Sequence, residues 1–190
     1  MDLATLPRRG GHLALDFVNT IDPRHGDERV EYLGDYCALV EWAAWVGVLD
    51  ERDDLLAAAG SREATAVHRR ALRLREGLYA LLRPAHDGGA AAAVTRELRQ
   101  AAAHASLRPS GTGYEVVFEG DGLDRMLWPV VRSAAELAAS PALRRVRECA
   151  GVDCGWLFLD TSKAGRRRWC SMEVCGNRAK ARRYRAARAD

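Results

Sequence analysis

Four of the five cysteines of this chain fall in one short stretch, as two pairs with the same C-x4-C spacing: Cys149 with Cys154, and Cys170 with Cys175. Thiolates at such spacings are metal ligands by type and by geometry. The fifteen residues between the pairs are enough for a β-hairpin that carries the second pair back to the first. Zinc suits the four sulfurs, because it accepts them tetrahedrally at about 2.3 Å and has no redox chemistry of its own. A shell closed by four thiolates leaves no position for a substrate, so the expected ion is structural. Disulfides are the competing reading. The chain opens Met-Asp-Leu-Ala, without the basic and apolar regions of a secretory signal, so a reducing, cytoplasmic setting is expected, which favours metal.

The surrounding residues must position these ligands. Gly151 and Gly155 lie in or beside the first knuckle, where a chain turning around a metal needs unusual dihedrals. Trp156-Leu157-Phe158-Leu159 is an apolar, β-prone run, residues 160–165 have turn composition, and Arg166-Arg167-Arg168-Trp169 is expected to return as a second strand. From Asn177 onward the chain is rich in helix formers and free of breakers, which places Cys175 at a helix start. Knuckle, hairpin and helix in that order predict a treble-clef-like finger.

The same stretch resembles the CGNR zinc-finger proteins, through the tetrad Cys175-Gly176-Asn177-Arg178. Cys149, Cys154, the run Trp156 to Asp160, Ser162, the run Arg167 to Met172 and Lys180 also resemble that finger. In such proteins the finger follows an N-terminal domain called ABATE, described as a stress-induced transcription regulator, and Leu13-Ala14-Leu15-Asp16-Phe17-Val18-Asn19-Thr20 is similar to its opening motif. Together the two resemblances cover nearly the whole chain and imply a bacterial DNA-binding regulator.

Charge is divided unevenly. The net value is only +3, but residues 141–190 hold thirteen Lys and Arg against five Asp and Glu, which leaves −5 for residues 1–140. The basic groups gather at Arg166, Arg167 and Arg168 and along the terminal helix at Arg178, Lys180, Arg182, Arg183 and Arg185. Such a cluster attracts phosphates, and guanidinium forks hold them bidentately. Arg178, Arg182 and Arg185 share one face while Lys180 and Arg183 point elsewhere, so phosphate contacts are expected more than base contacts. Arg178, at the helix start, could instead brace the knuckle. A solvated helix, or an acidic protein partner, is the alternative to DNA. Trp156, Phe158, Trp169 and Tyr184 read as the finger's small core.

Residues 1–140 read as a mainly helical domain. The first eleven form an arm, a helix begins near His12, and the polar residues 22–27 end it. Asp35 caps a helix running toward Leu49, with Cys37 a small buried hydrophobe, and a short helix spans residues 51–59. The strongest periodicity runs from Arg62 to Leu82, with Val67, Ala71, Leu74, Leu78 and Leu81 inward and Glu63, Arg69, Arg70, Arg73, Arg75 and Glu76 outward. After a loop at residues 86–89, helices are expected at residues 90–105 and 123–139. Between them a strand at residues 114–119 needs a partner near residues 105–108. No apolar run is long enough for a membrane span.

Polar residues also interrupt the first helix. Asp16, Asn19 and Thr20, with Asp22, Arg24 and His25 beyond them, are either satisfied by caps and backbone or form a small-molecule site that would make the domain a sensor. Catalysis is not expected, because the five histidines are scattered, no HExxH or nucleophile elbow occurs, and zinc enclosed by four thiolates cannot activate water. The fold class expected is mainly α with small β-hairpins: a helical domain over residues 1–140, then a zinc finger over residues 141–190.

Overall fold

The computed structural model describes residues 5–84 and 89–188. His86, placed in a loop by its neighbours, lies outside the described residues, as do the first four residues of the arm. Among the described residues the chain folds mainly into helices, with three two-stranded antiparallel ladders.

Helix α1 (Leu13–Val18) is short and almost wholly buried, and it leads into a small ladder of β1 (Ile21–Asp22) with β2 (Val30–Glu31). The polar residues between these strands form the loop their Pro and Gly content predicts. Helix α2 (Tyr36–Trp45) starts at Asp35, whose carboxylate accepts the Ala38 N–H at 2.8 Å. That bond satisfies one of the orphan amide donors of the first turn. Cys37 is exposed on this helix and is not the buried hydrophobe expected, because it falls on the face opposite Leu39, Val40 and Trp42. Helix α3 (Asp53–Ala57) follows.

Helix α4 (Arg62–Leu82) has the bounds its periodicity predicts and is capped by Ser61, whose hydroxyl accepts the Ala64 N–H at 3.0 Å. Its charged residues do not all face outward. Arg75 is buried, 4% exposed, with both terminal nitrogens on the Glu31 carboxylate at 2.6 and 2.7 Å and its Nε on Glu76 at 3.0 Å. Periodicity assigns a charge to solvent, but a bidentate partner on β2 makes its burial stable. Arg70 likewise turns toward Glu97 and Asp124.

Helix α5 (Ala90–Ala103) leads into strands β3 (Ala105–Ser110) and β4 (Gly113–Phe118), whose register runs from Ala105 opposite Phe118 to Ser110 opposite Gly113. This is the strand partner expected from the sequence. Helix α6 (Leu127–Ala139) begins four residues later than residue 123, which puts Pro129 in its first turn, where a missing N–H costs nothing. Phe17 and Trp42, with centroids 5.1 Å apart, lie at the heart of the core, and α1, α2, α4 and α6 supply most of the rest.

The chain then makes a 3-10 turn (Pro141–Arg145) and strand β5 (Val146–Glu148), which pairs with β6 (Leu157–Leu159) across the first cysteine knuckle. Residues 166–169 are not the second strand of this hairpin. They run past it, with the Arg168 carbonyl accepting the Ala150 N–H at 3.0 Å. Strand β5 takes the place they were expected to fill, because it precedes the knuckle directly and needs only a tight reversal. After a wide turn at Met172–Gly176, helix α7 (Asn177–Ala186) ends the described chain. Among the described residues, no helix is long and apolar enough to cross a membrane.

Candidate metal centre

Cys149 follows β5, Cys154 precedes β6, Cys170 ends the extended run, and Cys175 lies in the turn that starts α7. All four are buried, and their sulfurs lie within 4.8 Å of one another. Cys170 Sγ is 3.7 Å from Cys154 Sγ and 3.7 Å from Cys175 Sγ. Four sulfurs at about 2.3 Å from a central zinc are about 3.8 Å apart, so the donor set fits that ion in type, number and spacing. The Gly151 and Cys170 N–H groups point at Cys149 Sγ at 3.4 and 3.3 Å, a donor pair suited to a thiolate. Hydrogen bonds from Cys154 and then Cys170 hold the Cys149 thiol down at about 2, while Cys154 and Cys170 are raised as its donors and burial raises Cys175.

One glycine is required by this geometry and a second is closely packed in it. Gly155 has φ +62°, and a Cβ there would stand 2.4 Å from the His25 ring. Gly176, within the tetrad, lies against Met172 and Trp169, where a Cβ would come within 2.4 Å of Met172 Sδ and 3.2 Å of the Trp169 ring. Asp160 is fully enclosed and accepts from the Ser162 hydroxyl at 2.6 Å and from the Ser162 and Arg167 N–H groups at 2.9 Å. These bonds hold its carboxyl down at about 2 and shape the loop between the cysteine pairs.

Of the basic residues singled out in the sequence, Arg167 turns inward. Its guanidinium lies 4.5 Å over the Phe158 ring, donates to the Trp169 carbonyl at 2.8 Å and also donates to the Cys170 carbonyl. It makes the bracing contact that was considered for Arg178. Arg166, Arg168, Arg178, Lys180, Arg182, Arg183 and Arg185 are exposed. Trp156 and Phe158 are buried and Trp169 is half-buried, whereas Tyr184 stands on α7, 62% exposed, and does not join the core.

Residues 11–141 match the family described as "ABATE: Putative stress-induced transcription regulator", and residues 145–188 match "CGNR zinc finger". The chain belongs to the ABATE family and carries a CGNR finger. That description implies a non-enzymatic role. No curated protein is significantly similar to the chain.

The ABATE segment grips the CGNR finger at its first knuckle. The Arg24 and His25 N–H groups donate to the Cys154 and Asp153 carbonyls at 2.9 and 2.8 Å, and the Tyr79 hydroxyl donates to the Gly155 carbonyl at 3.1 Å. Arg24 is itself held by Glu76 at 2.6 Å, by the Val18 carbonyl at 2.6 Å and by the Tyr79 ring, 3.9 Å from its guanidinium carbon. Trp156 Nε1 donates to the Ile21 carbonyl at 2.8 Å. Reading the sequence missed this role for Arg24, His25 and Tyr79, because nothing local ties residue 24 to residue 154.

Of the polar residues of the ABATE opening motif, Asn19 reaches the finger, while Thr20 and Asp16 are held within residues 8–75. The Asn19 amide donates to the Leu157 carbonyl at 2.8 Å and accepts the Leu157 N–H at 3.0 Å. Thr20 donates to the Phe17 carbonyl at 2.7 Å and accepts from Arg75 at 3.3 Å. Asp16 accepts the Gly10 N–H at 2.9 Å and pairs with Arg8 at 3.5 Å. Each of the three has hydrogen-bond or ion-pair partners in the protein's own backbone and side chains.

Proposed function

We propose that this protein is a DNA-binding transcription regulator in which Cys149, Cys154, Cys170 and Cys175 hold zinc and the finger presents α7 to the phosphate backbone of duplex DNA. The observation that carries this reading is α7 itself. It contributes no buried residue, and the exposed side chains of Arg178, Lys180, Arg182, Arg183 and Arg185 on it make no ion pair or hydrogen bond among the described residues. A ten-residue helix of this kind is marginal alone. Anchoring it at Cys175 gives a rigid rod of positive charge whose stability does not depend on those side chains. Arg166 and Arg168 extend the same charge along the loop. The ABATE segment has the regulatory part, and the seam at the first knuckle is its route to the finger.

The test is binding of the full zinc-loaded chain to mixed-sequence duplex DNA across a salt series. Affinity should fall steeply with salt, as counterions are released. Replacing Arg182 and Arg185 together with Ala should weaken binding on all sequences and flatten the salt dependence, with zinc content and melting temperature unchanged. If the parent chain fails to bind duplex DNA even at low salt, the reading is wrong and an acidic protein partner becomes the ligand for these arginines.

A further inference from the structure

Arg9 is far from the finger in sequence, yet the fold delivers it there. Gly10 is held from both sides: its N–H donates to Asp16 at 2.9 Å and its carbonyl accepts the Leu159 N–H at 2.8 Å. The fit is tight, since a Cβ on Gly10 would stand 2.7 Å from Leu15 Cβ. The arm therefore lies in fixed register between α1 and β6. Half-buried Arg9 then lines, with Arg178 and Arg182 of α7, a recess of about 240 Å³ that opens beside the expected metal site, where Asp22, Cys154, Cys170 and Cys175 also line it.

None of these three guanidiniums makes a hydrogen bond or an ion pair among the described residues. Elsewhere the enclosed arginines are paired: Arg24 and Arg75 with glutamates, Arg70 and Arg125 with aspartates. Like charges gathered in one recess repel unless an anion lies among them. Asp22, which feels both Arg178 and Arg9 electrostatically, Asp153 and the thiolates of the expected zinc site offset this charge, but among the described residues none of them stands at hydrogen-bond or ion-pair distance from the three guanidiniums. An oxyanion with several acceptors can take donors from more than one of the forks that line the recess, as no carboxylate in it does.

The geometry points to a composite contact in which a backbone phosphate of duplex DNA seats between Arg9 of the N-terminal arm and Arg178 and Arg182 of α7. This inference rests on the DNA-binding reading above and adds to it a residue from the other end of the chain. It also places a DNA contact on the arm that immediately precedes the ABATE segment. Asp16 sits on α1 and fixes Gly10, so the position of α1 sets the position of one phosphate contact.

The experiment uses the full zinc-loaded chain and a mixed-sequence duplex, comparing the parent with Arg9→Ala, Arg9→Lys and Arg62→Ala. Arg62 is exposed at the start of α4, so its variant changes net charge equally at a remote site. Arg9→Ala should make the plot of log affinity against log salt shallower by about 0.9, the value for one lost phosphate contact. The loss should be similar on unrelated sequences, with zinc content unchanged, while Arg62→Ala tracks the parent. Arg9→Lys, which keeps the charge, should retain the parent's slope. A parent-like slope in Arg9→Ala, alongside a flattened slope in the Arg182/Arg185 double variant, would overturn the composite contact and leave the DNA reading standing. A shallower slope in Arg9→Lys or an equal effect of Arg62→Ala would also overturn it, since Arg9 would then act through the fold or through bulk charge. Absence of DNA binding by the parent removes both.

Discussion

At position 19 a side-chain amide does the work of a strand. Asn19 offers Leu157 one donor and one acceptor, as a neighbouring peptide would, and so satisfies both backbone groups of that residue on the side of β6 away from β5. Replacing it with Ala leaves a buried N–H and a buried carbonyl without partners, at about 1–3 kcal/mol for each such group. Asn19→Ala should therefore lower unfolding free energy by about 2 kcal/mol or more in urea titrations of the zinc-loaded protein. A change of a few tenths would show that water replaces the amide. Asp160 makes a prediction about pH. Its carboxyl is held at about 2 against an ordinary 3.8, foremost by the Ser162 hydroxyl, so the folded state binds its proton less readily than the unfolded state does. That contribution is present above the ordinary value and is lost as pH falls through about 4 toward about 2. Between those limits, urea midpoints of the parent should decline more steeply than those of Asp160→Asn; parallel declines would mean that the carboxylate is not the titrating group.

Among elements, the loop between β1 and β2 does more than connect. Its Arg24 and His25 amides hold the carbonyls of Asp153 and Cys154, and the Arg24 side chain ties the loop to α4 through Glu76 and Tyr79. The loop thus lies one shell outside the expected zinc ligands, where partners that orient the ligands typically change metal affinity 10–100-fold. Arg24→Ala should weaken zinc retention by roughly that factor in competition with a chromogenic chelator. The Arg182/Arg185 double variant is the comparison, since α7 lies beyond the cluster. Equal zinc affinity in both would confine the metal's support to the finger itself. Helix α7 behaves in the opposite way: it depends on the centre for its position and returns little to the core.

For the whole molecule, the issue is whether residues 1–140 and 141–190 fold separately, as the charge division and the metal site suggest. Trp156, Leu157 and Phe158 are no more than 2% exposed and belong to the same apolar core as Phe17 and Trp42. Burial of three such side chains contributes roughly 2 kcal/mol each, enough to join the stabilities of the two segments. The zinc-loaded protein should unfold in a single transition whose calorimetric and van't Hoff enthalpies agree. Chelation should first expose the Arg24 and His25 amides to hydrogen exchange, because their acceptors are knuckle carbonyls, while amides in the middle of α4 stay protected. Two resolved transitions in the loaded protein, the finger melting first, would show that the segments fold independently.

The sequence by itself determined the features that local chemistry controls. Two C-x4-C pairs specify four convergent thiolates, since ligand type and spacing are short-range properties. Helix α4 was legible from Arg62 to Leu82, because a 3.6-residue apolar period needs no distant partner, and the β3–β4 pair was legible from the β-prone run at residues 114–119, which needs a neighbouring strand to be stable. Tertiary structure decided the rest. Arg75 carries a surface charge in any periodic reading and is buried only because Glu31 reaches it from 44 residues away. Asn19 could have been a cap or a ligand group, and only Leu157, 138 residues on, makes it a strand mimic. Residues 166–169 have strand composition, but β5 holds the edge they would need. Arg9 belongs to no basic cluster until Gly10 is held between Asp16 and Leu159. In each case the side chain's role depends on a polar partner far along the chain, and the burial of a charge or amide is stable only once the fold has brought that partner within hydrogen-bonding distance.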